Sequence, residues 1–114
     1  MRAYRLAEAA EQDIFSLSEY SIEQFGEAAM ERYLHLISIA ISELCEDSKR
    51  LGVREFAEDI KMFHLRNSRE AVQFPPGKVG KPRHLIFFRE AKDGALEILR
   101  VLHEQMDHQR HLDE

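Results

Sequence analysis

The stretch between residues 7 and 47 contains no proline and a single glycine, Gly26, and this continuity constrains the fold more than any other sequence feature. On both sides of Gly26, apolar residues recur at the three- and four-residue spacing of an amphipathic helix. Glycine is costly inside a helix but suits its end, so the sequence predicts one helix over 7–24 and a second over about 27–47. Two helices joined so tightly fold back on a common partner or on each other. We therefore expect a helical hairpin over about 7–48.

The second half of the chain changes to strand-forming residues interrupted by proline and glycine. The prolines fall between 75 and 82 beside two glycines, a density that excludes a regular element and predicts a long loop over 66–82. Lys92-Asp93-Gly94 is a turn signal that predicts a hairpin between the two strands around it. With the charged stretch 54–59 taken as a connector, the predicted strands cover residues 3–6, 60–65, 84–89 and 96–103.

This order of strand, helix, helix and three strands is typical of an α+β domain with two layers, a helical hairpin and an antiparallel sheet. A chain of 114 residues predicts one domain over 1–114. Its parts are the hairpin, a sheet with a long basic loop over about 60–103, and a short C-terminal tail over 104–114. The lone Cys45 and the lack of a long apolar segment indicate a cytoplasmic protein with no membrane partner.

The charge of the chain is unevenly divided. The formal net charge is −5, which at first discourages an anionic partner. Between Lys61 and Arg89, however, seven basic residues stand against the single acid Glu70, a local balance of +6 that leaves −11 for the remainder. Part of this basic segment lies in the loop over 66–82 and at Arg83, which directly follows the loop. Either it forms a binding surface, or its lysines and arginines are solvated and only keep the hairpin soluble.

Several segments in this order resemble the RelE/ParE superfamily of toxins from bacterial toxin–antitoxin modules, and the ParE branch most of all. They cover nearly the whole chain. The segments that carry the resemblance are Tyr4–Ile14, Phe25–Tyr33, Arg83–Arg89, Glu97–His103, Met106-Asp107 and Arg110–Leu112.

The resemblance implies a β-α-α-β-β-β fold and neutralisation by a cognate antitoxin, ParD-like and of the ribbon-helix-helix kind, whose amphipathic helix could lie on the outer side of the hairpin. ParE-type toxins inhibit DNA gyrase, so the resemblance favours a toxin that binds its target and catalyses nothing. No cofactor and no metal are expected. The positions that the match brings forward for target binding are Lys78, Lys81, Arg83, Arg100, His103, Met106, Asp107 and Arg110.

RelE-type toxins, which share the fold, instead cleave messenger RNA on the ribosome, and this is the alternative function. Such cleavage needs a general base, a general acid and a cation at the phosphate. Glu104 follows the last strand where the RelE branch tends to carry basic residues, and a carboxylate there would repel the phosphate. If the chain is a ribonuclease, its catalytic candidates are Arg83, Arg100, His103 and His111.

Two further readings stay open. The chain could be an attenuated toxin whose main role is to bind antitoxin. The C-terminal histidines could also be structural: His103 would then cap the edge of the sheet, while His108 and His111 would be solvated residues of a polar tail.

Overall fold

The computed structural model describes residues 2–112. Met1, Asp113 and Glu114, which the domain and tail predictions include, lie outside this range. The elements, in chain order, are β1 (Tyr4–Leu6), α1 (Glu8–Phe25), α2 (Glu27–Glu46), β2 (Arg54–Ala57), β3 (Ile60–His64), a 3-10 helix (Leu65–Ala71), β4 (His84–Glu90), β5 (Leu96–His103) and α3 (His108–Leu112).

The α+β architecture and the helical hairpin are confirmed. Gly26 separates the two helices with φ +89°, a backbone conformation that L-residues with a side chain rarely adopt. Its N–H donates to the Ile22 carbonyl and closes α1, while its carbonyl accepts from Met30 N and opens α2. A single residue thus ends one helix and begins the next.

The sheet differs from the prediction in two ways. It has five strands in the order β1-β5-β4-β3-β2, because Arg54–Ala57 pairs with β3 and is a strand, not a connector. This strand was missed because it is a short edge strand in which only Phe56 is half-buried, so it shows no apolar alternation. The sheet is also mixed and not purely antiparallel, since β1 runs parallel to β5.

The predicted loop over 66–82 begins with regular structure. Residues Leu65–Ala71 form a 3-10 helix, so the exclusion of any regular element was wrong for this part. The prolines lie only beyond it, and Leu65 and Ser68 are buried against the rest of the domain. The irregular loop that remains covers residues 72–83.

The core lies between the helical hairpin and one face of the sheet. From α2, Ile37, Ile41 and Leu44 are buried in this core, whereas Met30 and Leu34 are only half-buried. From the sheet come the fully buried side chains Phe63, Ile86, Phe88, Leu96 and Ile98. The other face of the sheet is covered in part by α3, where the His108 ring lies 5.0 Å from that of Phe87. No helix within residues 2–112 is long and apolar enough to cross a membrane.

Candidate partner-binding cleft

A cleft of about 1010 Å³ opens between the helical hairpin, the far end of loop 72–83 and the adjoining ends of β4 and β5. Aliphatic and aromatic side chains of α1 and α2 form one wall, and the loop forms the other. The residues that line it are Asp13, Ser16, Leu17, Tyr20, Ser21, Phe25, Ala29, Arg32, Tyr33, Val79, Gly80, Lys81, Arg83, His84, Val101, His103, Gln105 and Met106.

A hydrogen-bonded pair, Tyr33 of α2 and His84 of β4, lies in this cleft. The Tyr33 hydroxyl is 2.6 Å from His84 Nδ1 and also accepts the Arg83 backbone N–H at 3.0 Å. At this distance the hydroxyl and Nδ1 are hydrogen-bonded to each other. The His84 ring also meets the His103 ring edge to face, with centroids 5.2 Å apart.

Burial sets the protonation of both groups. It raises the pKa of the Tyr33 hydroxyl to about 12, so this side chain remains a donor throughout the physiological range. Burial, and next the neighbouring His103 and His64 rings, lower the pKa of His84 to about 4. His84 is therefore neutral at pH 7, and the cleft holds a fixed polar pair without charge.

Glu104, at the end of β5, joins two basic groups. Its carboxylate accepts from His64 Nε2 at 2.8 Å and from Arg83 Nη1 at 2.9 Å. The bond from His64, and next the bond from Arg83, lower the pKa of the Glu104 carboxyl to about 2. From the sequence, the Glu104 carboxylate was expected to repel a phosphate as an isolated negative charge. In the structure, the positive charge of Arg83 compensates it. Arg83 is correspondingly held at one place on the cleft rim.

Arg100, a candidate both for target binding and for catalysis, is engaged inside the protein. Its guanidinium makes two hydrogen bonds to the Asp13 carboxylate, at 2.8 and 2.9 Å, and a third to the His111 carbonyl at 2.9 Å. Both charged side chains are largely buried, at 16% and 13% exposure. Arg100 thereby ties α1 and α3 to β5 and lies outside the lining of the cleft.

The other C-terminal candidates divide between the cleft and α3. His103 and Met106 line the cleft beside Arg83, whereas Asp107 and Arg110 are exposed at the start of α3, where Asp107 Oδ1 accepts the Arg110 N–H. The four ribonuclease candidates thus form two pairs, Arg83 with His103 at the cleft and Arg100 with His111 beside α3. The reading of His108 as a solvated tail residue was wrong, because its Nε2 bonds the His103 carbonyl and its ring packs on Phe87.

The lysines predicted in the loop have different surroundings. Lys78 Nζ lies 2.7 Å from Oε1 of Glu70, whose other carboxylate oxygen, Oε2, pairs with Arg69 Nη1 at 2.9 Å. Lys81 is exposed, lines the cleft and has no ion-pair partner within residues 2–112. Of the two, Lys81 is therefore the cation that the cleft can offer to a ligand.

The sequence predicted an antitoxin helix on the outer side of the hairpin but singled out no residue there for it. Tyr20, Phe25 and Arg32 line the cleft on this side, and Phe25 is 69% exposed. Phe25 immediately precedes the helix break at Gly26, and that position was the available signal. Tyr33 could not have been paired with His84, 51 residues away, from any local pattern.

The comparisons with known proteins agree with this architecture. The family described as "ParE toxin of type II toxin-antitoxin system, parDE" matches residues 4–108. A solved structure titled "Chromosomal ParDE TA system from P. aeruginosa" has the same fold, with a TM-score of 0.66 at 12% sequence identity, over 90% of this chain and 96% of that one. No curated protein matches the sequence.

A helical hairpin on a five-stranded sheet, matched over almost its full length by this family, defines the chain as a toxin component of a type II toxin–antitoxin system. Within that class it belongs to the ParE toxin family.

Proposed function

We propose that this ParE-family chain inhibits DNA gyrase by protein–protein binding in the cytoplasm, and that a cognate, ParD-like antitoxin of the ribbon-helix-helix kind neutralises it. The observation that carries the proposal is the engagement of both candidate cations inside the protein. Arg100 is bonded to Asp13, Arg83 is bonded to Glu104, and His111 lies in α3, away from the cleft. A phosphate-cleaving site needs a cation and proton-transfer groups around one reacting atom. Arg83 and His103 share the cleft, but the Arg83 charge that would meet a phosphate is already compensated by Glu104, so this arrangement favours binding over catalysis.

The composition of the cleft also favours a protein partner. Aromatic residues, methionine and arginine are enriched in protein–protein interfaces, and Tyr20, Phe25, Met106 and Arg32 provide them here. We assign this cleft to the antitoxin. The P. aeruginosa protein of the same fold belongs to a ParDE TA system, which supports a partner of that kind.

A gyrase assay tests the function directly. Purified toxin at micromolar concentration is expected to inhibit supercoiling by gyrase and to increase the amount of cleaved DNA. The parallel measurement is cleavage of messenger RNA on translating ribosomes. If gyrase is unaffected while mRNA is cut at the ribosomal A site, the chain is a ribonuclease. If neither occurs but antitoxin binds, the chain is an attenuated toxin.

The charge of the cleft rim predicts the chemistry of the antitoxin segment. Within residues 2–112, Asp13 is the one acid that lines the cleft, and it is paired with Arg100, so Arg32 and Lys81 give the rim a positive charge. An amphipathic segment with acidic residues beside its apolar side chains complements such a surface. We expect the double substitution Arg32→Glu and Lys81→Glu to weaken antitoxin binding about tenfold or more, which corresponds to at least ~1.4 kcal/mol.

Isothermal titration calorimetry with the product of the neighbouring antitoxin gene measures this effect. Lys92→Glu, in the exposed turn between β4 and β5, introduces the same kind of charge reversal away from the cleft and is the control. Equal affinities for the double variant and the wild type would show that the antitoxin binds elsewhere. Loss of affinity in both variants would indicate only a long-range effect of net charge.

A further inference from the structure

Loop 72–83 carries the most exposed aromatic side chain of the described chain. Phe74 is 89% exposed, whereas Phe63, Phe87 and Phe88 are completely buried in the core. Burial of such a side chain stabilises a fold or a complex, and folding of this domain leaves that stabilisation unused at Phe74. The side chain lies outside the lining of the cleft. It is therefore available to a partner other than the one that fills the cleft.

Backbone hydrogen bonds hold the segment around Phe74 in place. The N–H of Gln73, the preceding residue, donates to His35 Nε2 of α2 at 3.1 Å. The N–H of Gly77 then donates back to the Gln73 carbonyl at 2.9 Å, which closes a turn with Phe74 inside it. The turn that presents the ring is thus attached to the helical hairpin.

The other end of the loop is fixed to the 3-10 helix. Arg69 Nε donates to the Val79 carbonyl at 2.7 Å, and Lys78 is paired with Glu70 at 2.7 Å. A loop attached on both sides of its exposed side chain loses little conformational entropy when a partner binds, which is the advantage of a preorganised binding element.

One side of the Phe74 ring packs against the backbone of the same turn. Gly77 has φ +97°, and a Cβ atom at that residue would lie 3.2 Å from Cδ2 of Phe74. The ring therefore lies against the bare backbone of Gly77, at a spacing that a side chain at this position would disturb. One side of the ring is supported in this way, and its 89% exposure shows that the rest projects into solvent.

The charge of the loop limits the kind of surface it fits. Residues 72–83 contain no acidic residue; Lys78 and Arg83 are paired with Glu70 and Glu104, and Lys81, which has no ion-pair partner within residues 2–112, gives the loop its uncompensated positive charge. A complementary surface offers an apolar slot for the ring and acidic side chains around the slot.

We propose that Phe74 is the aromatic anchor by which this toxin docks on its protein target, with the ring entering an apolar slot bordered by acidic side chains. The proposal rests on the gyrase inhibition proposed above and names the element that makes the contact. Because Val79 and Lys81 of the same loop line the cleft, an antitoxin segment seated there lies next to this anchor and can block the approach of the target.

Phe74→Ala is the test, because truncation of so exposed a side chain leaves the core intact. It is expected to reduce gyrase inhibition about 30-fold or more, as for an interface hot spot, with unchanged melting temperature and antitoxin affinity. Phe74→Trp is expected to retain inhibition, since a larger aromatic ring still fills an apolar slot. Leu51→Ala is the matched control: Leu51 is 97% exposed on a different turn, and its truncation is expected to change nothing.

The outcomes separate this anchor from the proposed function. If wild type and Phe74→Ala inhibit gyrase equally, the anchor is wrong while gyrase inhibition stands. If Phe74→Ala loses antitoxin affinity but still inhibits gyrase, the loop contacts antitoxin and the anchor is again wrong. If the wild type does not inhibit gyrase, the proposed function fails, and growth arrest of cells that express the toxin becomes the readout. If Phe74→Ala no longer arrests growth, the anchor is supported for another target. If Phe74→Ala arrests growth as the wild type does, the anchor is wrong.

Discussion

Replacement of Asp13 by alanine is expected to lower the free energy of unfolding by about 3 kcal/mol, because it removes the carboxylate that pairs with the largely buried guanidinium of Arg100. Asp13 binds Arg100 through both carboxylate oxygens and also accepts the Val101 backbone N–H at 2.9 Å. Its removal therefore takes away two charge-assisted hydrogen bonds and the acceptor of the Val101 amide together. Arg100→Ala is expected to cost a similar amount, since it strands the Asp13 carboxylate and frees the His111 carbonyl of α3.

Urea denaturation at pH 7 measures this loss, and thermal unfolding should show a fall in Tm of roughly 10 °C for a chain of this size. Arg5→Ala is the matched control. Arg5 pairs with Asp93 at the same 2.9 Å, but the two side chains are 51% and 64% exposed, and exposed pairs of that kind contribute little to stability. An Asp13→Ala variant that is as stable as Arg5→Ala would show that this ion pair does not hold α1 to β5.

The same ion pair shows why the sequence could predict the helices but not the site. A helix is encoded by neighbours three and four residues apart, so the apolar spacing and Gly26 were enough to define the hairpin. Asp13 and Arg100 are 87 residues apart, and nothing local marks them as partners. Arg100 therefore stood out as a free cation available to a target, and only the packing of α1 on β5 revealed its partner.

The count of charges along the chain also failed to show which distant residues pair with each other. The excess of +6 between Lys61 and Arg89 suggested a basic face, yet four of its seven cations make ion pairs in the structure, namely Arg69, Lys78, Arg83 and Arg89. Two of these four pair with Glu97 and Glu104 from outside the segment. A count along the chain cannot include an acid that the fold brings in from elsewhere. The basic surface is accordingly smaller than predicted, and of the three cations without an ion pair within residues 2–112, Lys61, Arg66 and Lys81, only Lys81 lines the cleft.

Because His84 is buried, we expect the free energy of unfolding to fall on mild acidification. In the unfolded chain this histidine titrates near pH 6.5, whereas burial lowers its pKa to about 4 in the folded protein. Between these two pH values His84 binds a proton in the unfolded chain but stays neutral in the folded chain. The free energy of unfolding therefore falls as the pH falls. The full contribution is present above pH 6.5, and the loss ends near pH 4, where the folded protein is protonated too. At 1.36 kcal/mol per pKa unit, the total is about 3 kcal/mol.

Urea denaturation between pH 7 and 4.5 isolates this effect, because the depressed pKa of Glu104 adds its own loss of stability chiefly below pH 4.5. Over that window the wild type is expected to lose about 2–3 kcal/mol more than His84→Gln, which has no proton to take up. Tyr33→Phe is the control that removes the hydrogen bond but keeps the burial. Because burial is the largest cause of the shift, this variant should retain most of the pH dependence. Parallel pH profiles for wild type and His84→Gln, or an NMR titration of His84 centred near pH 6.5, would mean that the ring is open to water. The cleft would then offer a partner a titratable cation in place of a neutral ring.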